Sequence, residues 1–290
     1  MTAPLPAVAF TLPGARPARR RVLWAGGVAG PELTLARESV AALGGASLLA
    51  VDDLPADGPD AVPDPPLCIL LAHDRTTSWT PARVLALSRR WPLARVVSVA
   101  GSLGDGRRRS GPLLPGVEEI AWHDIAGRLA AWFADLDAGA AGSLGLPPTA
   151  RREDRLLDAP SFAEARPRRG GRGPVAVVGR DDVALEGLAG LVATLGYAVS
   201  GQIAARPAID GAAGTVLWDA VRLLPDDIEW LRLLVANRPG AAVVILDSFP
   251  RGDVAGAARD AGAAAILARP VALEPLAGTL ERLVRRRDAA

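Results

Sequence analysis

Few residues of this chain have both the type and the placement to do chemistry, and Asp219 stands out among them. It ends the apolar run of "GTVLWDAVRLLP" (214–225), with a turn-prone stretch and a helical pattern after it. An aspartate at the carboxyl end of a buried strand serves as a nucleophile, a metal ligand or a loop residue. His73 and His123 also follow apolar runs, "LCILLA" and "EEIAW", where open α/β sheets place their sites. Asp74 is next to His73, and the polar loop "GDGRRRSGPLLPGV" (104–117) brings Arg109 to the same edge. His73, Asp74, Arg109 and His123 are therefore the candidate ligand edge of the first half. In a sheet order that sets the fourth strand between the third and fifth, which the two histidines follow, they stand about 9–10 Å apart, too far for easy joint metal binding. Hydrogen-bonded or surface histidines, and a solvated arginine loop, are the structural readings of the same residues.

What is missing narrows the chemistry further. The chain has no lysine, so all 33 basic residues are arginines. That removes Schiff-base chemistry and the phosphate-loop lysine together. One cysteine, Cys68, excludes an intrachain disulfide and reads as a buried small hydrophobe within "PPLCILLA". Two histidines and one cysteine do not make a closed zinc site, so no metal or other cofactor is expected. A net charge of +1 offers no basic excess for nucleic acid, and no apolar run reaches the length of a membrane span. The Pro- and Ala-rich residues 1–19 run from apolar to basic, the reverse of a secretory signal. They read as a disordered leader on a cytoplasmic protein.

The elements that must position these residues follow from hydrophobic period. Residues 138–172 break the pattern with Gly, Pro, Ala and mixed charge, and read as a linker with a short helical piece around 151–157. Its arginines at 167–172 read as a solvated run. After it, "VAVV" (175–178), "AVSGQI" (198–203), "TVLW" (215–218), "AVVIL" (242–246) and "AAAIL" (263–267) read as strands. Helix-length segments follow them, including 183–195, 226–237, 253–262 and 273–287. Asp182 is placed to cap the first of these. Before the linker the same rhythm recurs, with strands at 21–27, 47–51, 67–72, 95–101 and 118–122. Helices are expected at 32–43, from Thr80–Pro81 to Arg90, and at 125–136. "AGGVAG" (25–30) has the look of a dinucleotide turn, but its first residue is alanine and Pro31 follows, so a tight turn explains it as well. The expected fold is α/β: two doubly wound, five-stranded parallel-sheet domains of flavodoxin/CheY-like type, 20–137 and 173–288, joined by a linker.

The second half resembles the receiver domain of bacterial response regulators. The strongest stretch is "AGAAAILARP" (261–270) ahead of an amphipathic helix. "VAVVGRDDVALEGLAGLVATLGY" (175–197) matches the opening strand, helix and turn, and "TVLWD" the strand that ends in the phosphoacceptor. The resemblance implies that Asp219 occupies the phosphoacceptor place, and that Arg269–Pro270 stands where the family has a Lys-Pro with a cis peptide bond. It also implies what has changed. The acid pair that helps to hold Mg²⁺ is Gly179–Arg180 here. The hydroxyl position is Asp247, with Ser248 next to it, and the lysine is Arg269. An arginine opposes the cation, and Asp247 adds negative charge near an incoming phosphoryl group. Asp181 and Asp182 replace the acid pair only if the turn shifts by two residues; the plainer reading is that they cap the helix.

The reading is a pseudo-receiver. Asp219 and Asp247 are expected to face Arg180 and Arg269 as a self-neutral cluster, with Asp219 in salt-bridge reach of one of the arginines. The first half looks like a more divergent copy, with Gly26–Gly27 at the acid-pair positions and the nucleophile position on Ala72, His73 or Asp74. Together these imply a non-catalytic regulatory protein of two-component-type signalling, its tandem receivers acting as protein–protein interaction modules. Its partners are then proteins, neither nucleic acid nor membrane, and a homodimer is allowed. The alternative is a small-molecule or nucleotide-dependent α/β enzyme working at the carboxyl edge of the first sheet.

Overall fold

The computed structural model describes residues 20–28, 30–51, 65–73, 79–102, 114, 116–139, 144, 172–210 and 214–288. The leader (1–19), Asp74, Arg109 and nearly all of the linker, including 151–157, lie outside the described residues. In the first half the strands are β1 (Arg20–Ala25), β2 (Ala46–Val51), β3 (Cys68–His73), β4 (Arg95–Ala100) and β5 (Glu118–Ala121). Its helices are α1 (Pro31–Ala41), α2 (Pro81–Arg90) and α3 (Ile125–Asp137). In the second half the strands are β6 (Arg172–Gly179), β7 (Tyr197–Ala204), β8 (Thr215–Val221), β9 (Ala242–Asp247) and β10 (Ala263–Ala268). Its helices are α4 (Asp182–Thr194), α5 (Pro225–Asn237), α6 (Gly252–Asp260) and α7 (Leu273–Asp288).

Each half builds one five-stranded sheet, ordered β2-β1-β3-β4-β5 and β10-β9-β8-β6-β7, and every pairing is parallel. Read from the same edge, the two orders are the same, 2-1-3-4-5. This is the doubly wound topology of flavodoxin and CheY. Alternate residues of β1 feed opposite cores: Val22 and Trp24 pack on one face of the sheet, Leu23 and Ala25 on the other. In β6, Val175 and Val177 join one core, and Ala176 and Val178 the other. Both faces are covered, so the central strands are continuous apolar runs without polar alternation. Each large side chain so buried stabilises the fold by roughly 1.5–3 kcal/mol.

Two local expectations need correction. The cap of α4 is Asp181, whose carboxylate accepts the Ala184 N–H at 2.8 Å, and Asp182 is the first helical residue. Asp181 has the extended backbone that a cap requires. No helix is found among the described residues between β7 and β8; residues 205–210 run as bends, turns and irregular chain. That crossing is tied to α5, with the Trp230 indole N–H donating to Pro207 O at 2.9 Å. The cap of α2 is as expected: Thr80 Oγ1 accepts from Arg83 N at 3.3 Å.

The two halves pack on each other through helices. α3 crosses α7 so closely that a Cβ on Gly278 would lie 1.9 Å from Gly127 O, and one on Gly127 would lie 2.4 Å from Pro275 O. Only glycine fits at either position. Around this crossing, Arg128 pairs with Glu274 at 2.5 Å and the Trp132 indole N–H donates to Glu274 Oε1 at 2.8 Å. Burial pushes the Glu274 carboxyl above its ordinary range, against the pull of the Arg128 guanidinium and the Trp132 hydrogen bond. Nearby, Arg259 of α6 pairs with Glu38 of α1. No local pattern in either half announces this seam.

Candidate functional site

The carboxyl edge of the second sheet gathers most of the residues singled out in that half. β8 buries five residues in succession and delivers Asp219, 4% exposed, to the edge. Next to it the register with β9 slips by one residue between Asp219 and Val221, and Val221 adopts φ 59°. A positive φ is costly for a β-branched residue. It turns the Val221 N–H back onto Asp219 Oδ1, 3.0 Å away, while Val221 O accepts from Ser248 N at 2.7 Å. Arg269, at the end of β10, reaches the same carboxylate, with Nη1 3.3 Å from Asp219 Oδ1. The Arg269–Pro270 peptide bond is cis.

The expected pairing of Asp219 with an arginine is therefore made by Arg269. Arg180 is exposed and forms no ion pair among the described residues, so the four-residue cluster expected from the sequence is not assembled. Asp247 also departs from that cluster. It is 4% exposed, and its two oxygens accept backbone N–H groups, Leu223 at 3.0 Å and Phe249 at 2.8 Å. A carboxylate buried at a strand end needs donors, and the two loops supply them from the main chain before any side chain is required. Asp247 thus ties together the loops that follow β8 and β9. Ser248 is exposed beside it. Asp181 is engaged as the helix cap, and Gly179–Arg180 contribute no carboxylate.

The first sheet ends differently. Val178 pairs with Trp218 just ahead of Asp219, and Ala25 pairs with Leu71 just ahead of Ala72. Of the three residues that could correspond to Asp219, register selects Ala72. A Cβ on Gly26 would already touch Ala72 Cβ at 3.2 Å, and the Trp79 indole N–H donates to Ala72 O at 2.8 Å. "AGGVAG" is the tight turn that permits this approach, with Gly26 at φ 106°. Glu32 of α1 reaches over the edge to Ser102, accepting its N–H at 2.6 Å and its hydroxyl at 2.5 Å.

The two histidines are not brought together. His73 is buried at the end of β3, and β4 separates that strand from β5. His123 lies in the turn after β5, with Nδ1 3.0 Å from Asp124 Oδ1 and its ring edge-on to Trp122. Among the described residues no group of three or more His, Cys, Asp or Glu is placed to hold a metal ion. Cys68 is buried as expected, which pushes its thiol up to about 12. No helix among the described residues is long and apolar enough to cross a membrane.

Fold and edge together define a doubly wound α/β protein with two sheets of one topology. No family model matches the sequence, and no curated protein matches it. Solved structures do align with part of it. One is a protein of Burkholderia pseudomallei described as pilus assembly-related, 22% identical over 42% of this chain and 96% of its own, with a TM-score of 0.39. Another, described as a pilus assembly protein of Burkholderia thailandensis, is 24% identical over 39% of this chain and 98% of its own, with a TM-score of 0.36. A CheY-like response regulator receiver protein of Methanospirillum hungatei is 19% identical over 41% of this chain and 98% of its own, with a TM-score of 0.34.

Proposed function

We propose that this chain is a cytoplasmic regulatory protein of two-component-type signalling, in which two receiver-like domains act as protein-interaction modules and phosphotransfer has been lost. The observation that carries the reading is the commitment of Asp219. Its carboxylate, buried at the phosphoacceptor place, is held by Arg269 at 3.3 Å and by the Val221 N–H at 3.0 Å. Positive charge and a hydrogen bond on Oδ1 lower the nucleophilicity of the carboxylate, and residues 179–180 offer no carboxylate for Mg²⁺. The second carboxylate of the edge, Asp247, is spent on backbone N–H groups.

The same edge presents apolar surface. Val183, Leu224 and Phe249 are 81%, 50% and 61% exposed, and they follow β6, β8 and β9, which are neighbours in the sheet. Exposed apolar groups clustered on one edge favour a protein partner over a small ligand. The test is intact-mass analysis after treatment with acetyl phosphate and Mg²⁺. Unchanged mass is expected. Gain of one phosphoryl group, absent in Asp219→Asn, would overturn the loss of phosphotransfer.

A further inference from the structure

We propose that the two carboxyl edges are coupled: the loop that follows β9 sets how firmly the edge of the first sheet is held, acting through the first turn of α1. The two edges meet at the seam. Gly252, where α6 starts, is pressed on Pro31 and Glu32, where α1 starts. A Cβ on Gly252 would lie 2.8 Å from Pro31 Cγ and 2.9 Å from Glu32 N. Neither a proline ring nor a backbone nitrogen can swing aside, so a change in the placement of Gly252 is passed on to α1. One turn further on, Ala255 of α6 is buried in the core of the first half with Leu33, Leu35 and Ala36 of α1. The start of α6 belongs to the second half by sequence and to the first by packing.

In the first half the contact falls on the residue that holds the edge. Glu32 accepts the Ser102 N–H at 2.6 Å and the Ser102 hydroxyl at 2.5 Å, just past the end of β4. The fit is as close there: a Cβ on Gly101 would lie 2.8 Å from Glu32 Oε2. In the second half, Gly252 closes the loop that starts at Ser248, and two hydrogen bonds tie that loop to the Asp219–Asp247 edge. The Ser248 N–H donates to Val221 O at 2.7 Å, and the Phe249 N–H to Asp247 Oδ1 at 2.8 Å. Only Pro250 and Arg251 separate Phe249 from Gly252. Hydrogen bonds and hard contacts therefore run from Asp247 to Ser102, with the first turn of α1 as the shared piece. Loosening either end lowers the cost of loosening the other, and linkage makes the effect reciprocal. Under the interaction-module reading proposed above, on which this consequence alone rests, a protein seated on the exposed Phe249 ring also alters the edge of the first sheet. The coupling itself needs no partner.

The test is hydrogen exchange of the full chain, read amide by amide by NMR. The Ser102 N–H reports on the first edge, the Phe249 N–H on the second, and the β3 amides give the background. Glu32→Ala should speed exchange at Ser102 about tenfold over that background, a change that loss of a hydrogen bond to a charged group supports. Gly252→Ala, which drives a methyl group against Pro31 and Glu32, should speed Ser102 about as much, although it alters no residue of that edge. Combining the two should add nothing further at Ser102, and Glu32→Ala should also speed exchange at Phe249. If Gly252→Ala does not fold by circular dichroism, Asp247→Ala, which frees the Phe249 N–H, takes its place with the same expectation at Ser102. No change at Ser102 relative to the β3 amides in the second-half variant, or effects of the two substitutions that multiply, would overturn the coupling. No partner and no phosphoryl donor is used, so failure here is distinct from failure of the function proposed above.

Discussion

The two carboxyl edges share a topology and are closed by opposite means. At the second edge the strands deliver two buried carboxylates, Asp219 and Asp247, which are neutralised by an arginine and by backbone N–H groups. At the first edge the register equivalent of Asp219 is Ala72, capped by an indole N–H and pressed against Gly26. The acid that does act there, Glu32, comes from a helix and binds Ser102. The difference shows that a sheet edge can be sealed once each buried polar group has a partner, whether the partner is charged or neutral.

The largest test of that contrast places the second edge's acid in the first. Ala72→Asp buries a carboxylate pressed against Gly26, and should cost about 4 kcal/mol in urea denaturation at pH 7. A cost below about 1 kcal/mol would mean that the first edge retains a hidden receptor for charge.

Next comes Asp247→Ala, which strands the Leu223 and Phe249 N–H groups and should cost about 3 kcal/mol. Asp247→Asn keeps one acceptor and should recover about half of the loss. Equal losses for the two variants would show that Asp247 acts by its charge and not by its hydrogen bonds.

Smaller again is Arg269→Met. Arg269 is about one-third exposed, so solvent screens part of the pair, and the expected loss at pH 7 is about 2 kcal/mol. Adding Asp219→Asn to it should restore most of that stability, because the carboxylate left without its cation is then gone. Additive losses in the double variant would sink the pairing as the reason for the effect.

The smallest effect separates both edges from the seam. Folding raises the Glu274 pKa through burial, so the native state holds a proton that the unfolded chain has already released. Its contribution to stability is present below the ordinary carboxylate range, declines as pH rises through the raised value, and is level above it. Glu274→Gln keeps an acceptor for Trp132 and cannot ionise, so the stability of the wild-type chain relative to this variant should fall as pH rises across that interval. A relative stability that rises with pH there would contradict the direction of the shift.

Most of the secondary structure was legible because it is written locally. The apolar runs that become β3, β8 and β9 need no knowledge of their neighbours, and Thr80–Pro81 announces α2 by its own chemistry. The place of Asp219, at the end of one such run, was legible for the same reason. The start of α4 was one residue off, since Asp181 and Asp182 are both good caps and only the backbone angles choose between them.

What the chain order could not supply is which donor each buried acid would meet. Asp219 and Asp247 look alike in sequence, two acids closing two apolar strands. One takes a guanidinium and the other two backbone N–H groups, because the register slip at Val221 and the turn after β9 orient the main chain that way. Gly127 and Gly278 acquire their role only where α3 and α7 cross. The cavity beside that crossing is bounded by residues from both halves, and its alanines form a common wall only when the halves pack together. Local periodicity encodes which face of an element is apolar. Hydrogen-bond direction and helix-to-helix distance depend on atoms far apart along the chain, and they are fixed only when the cores close.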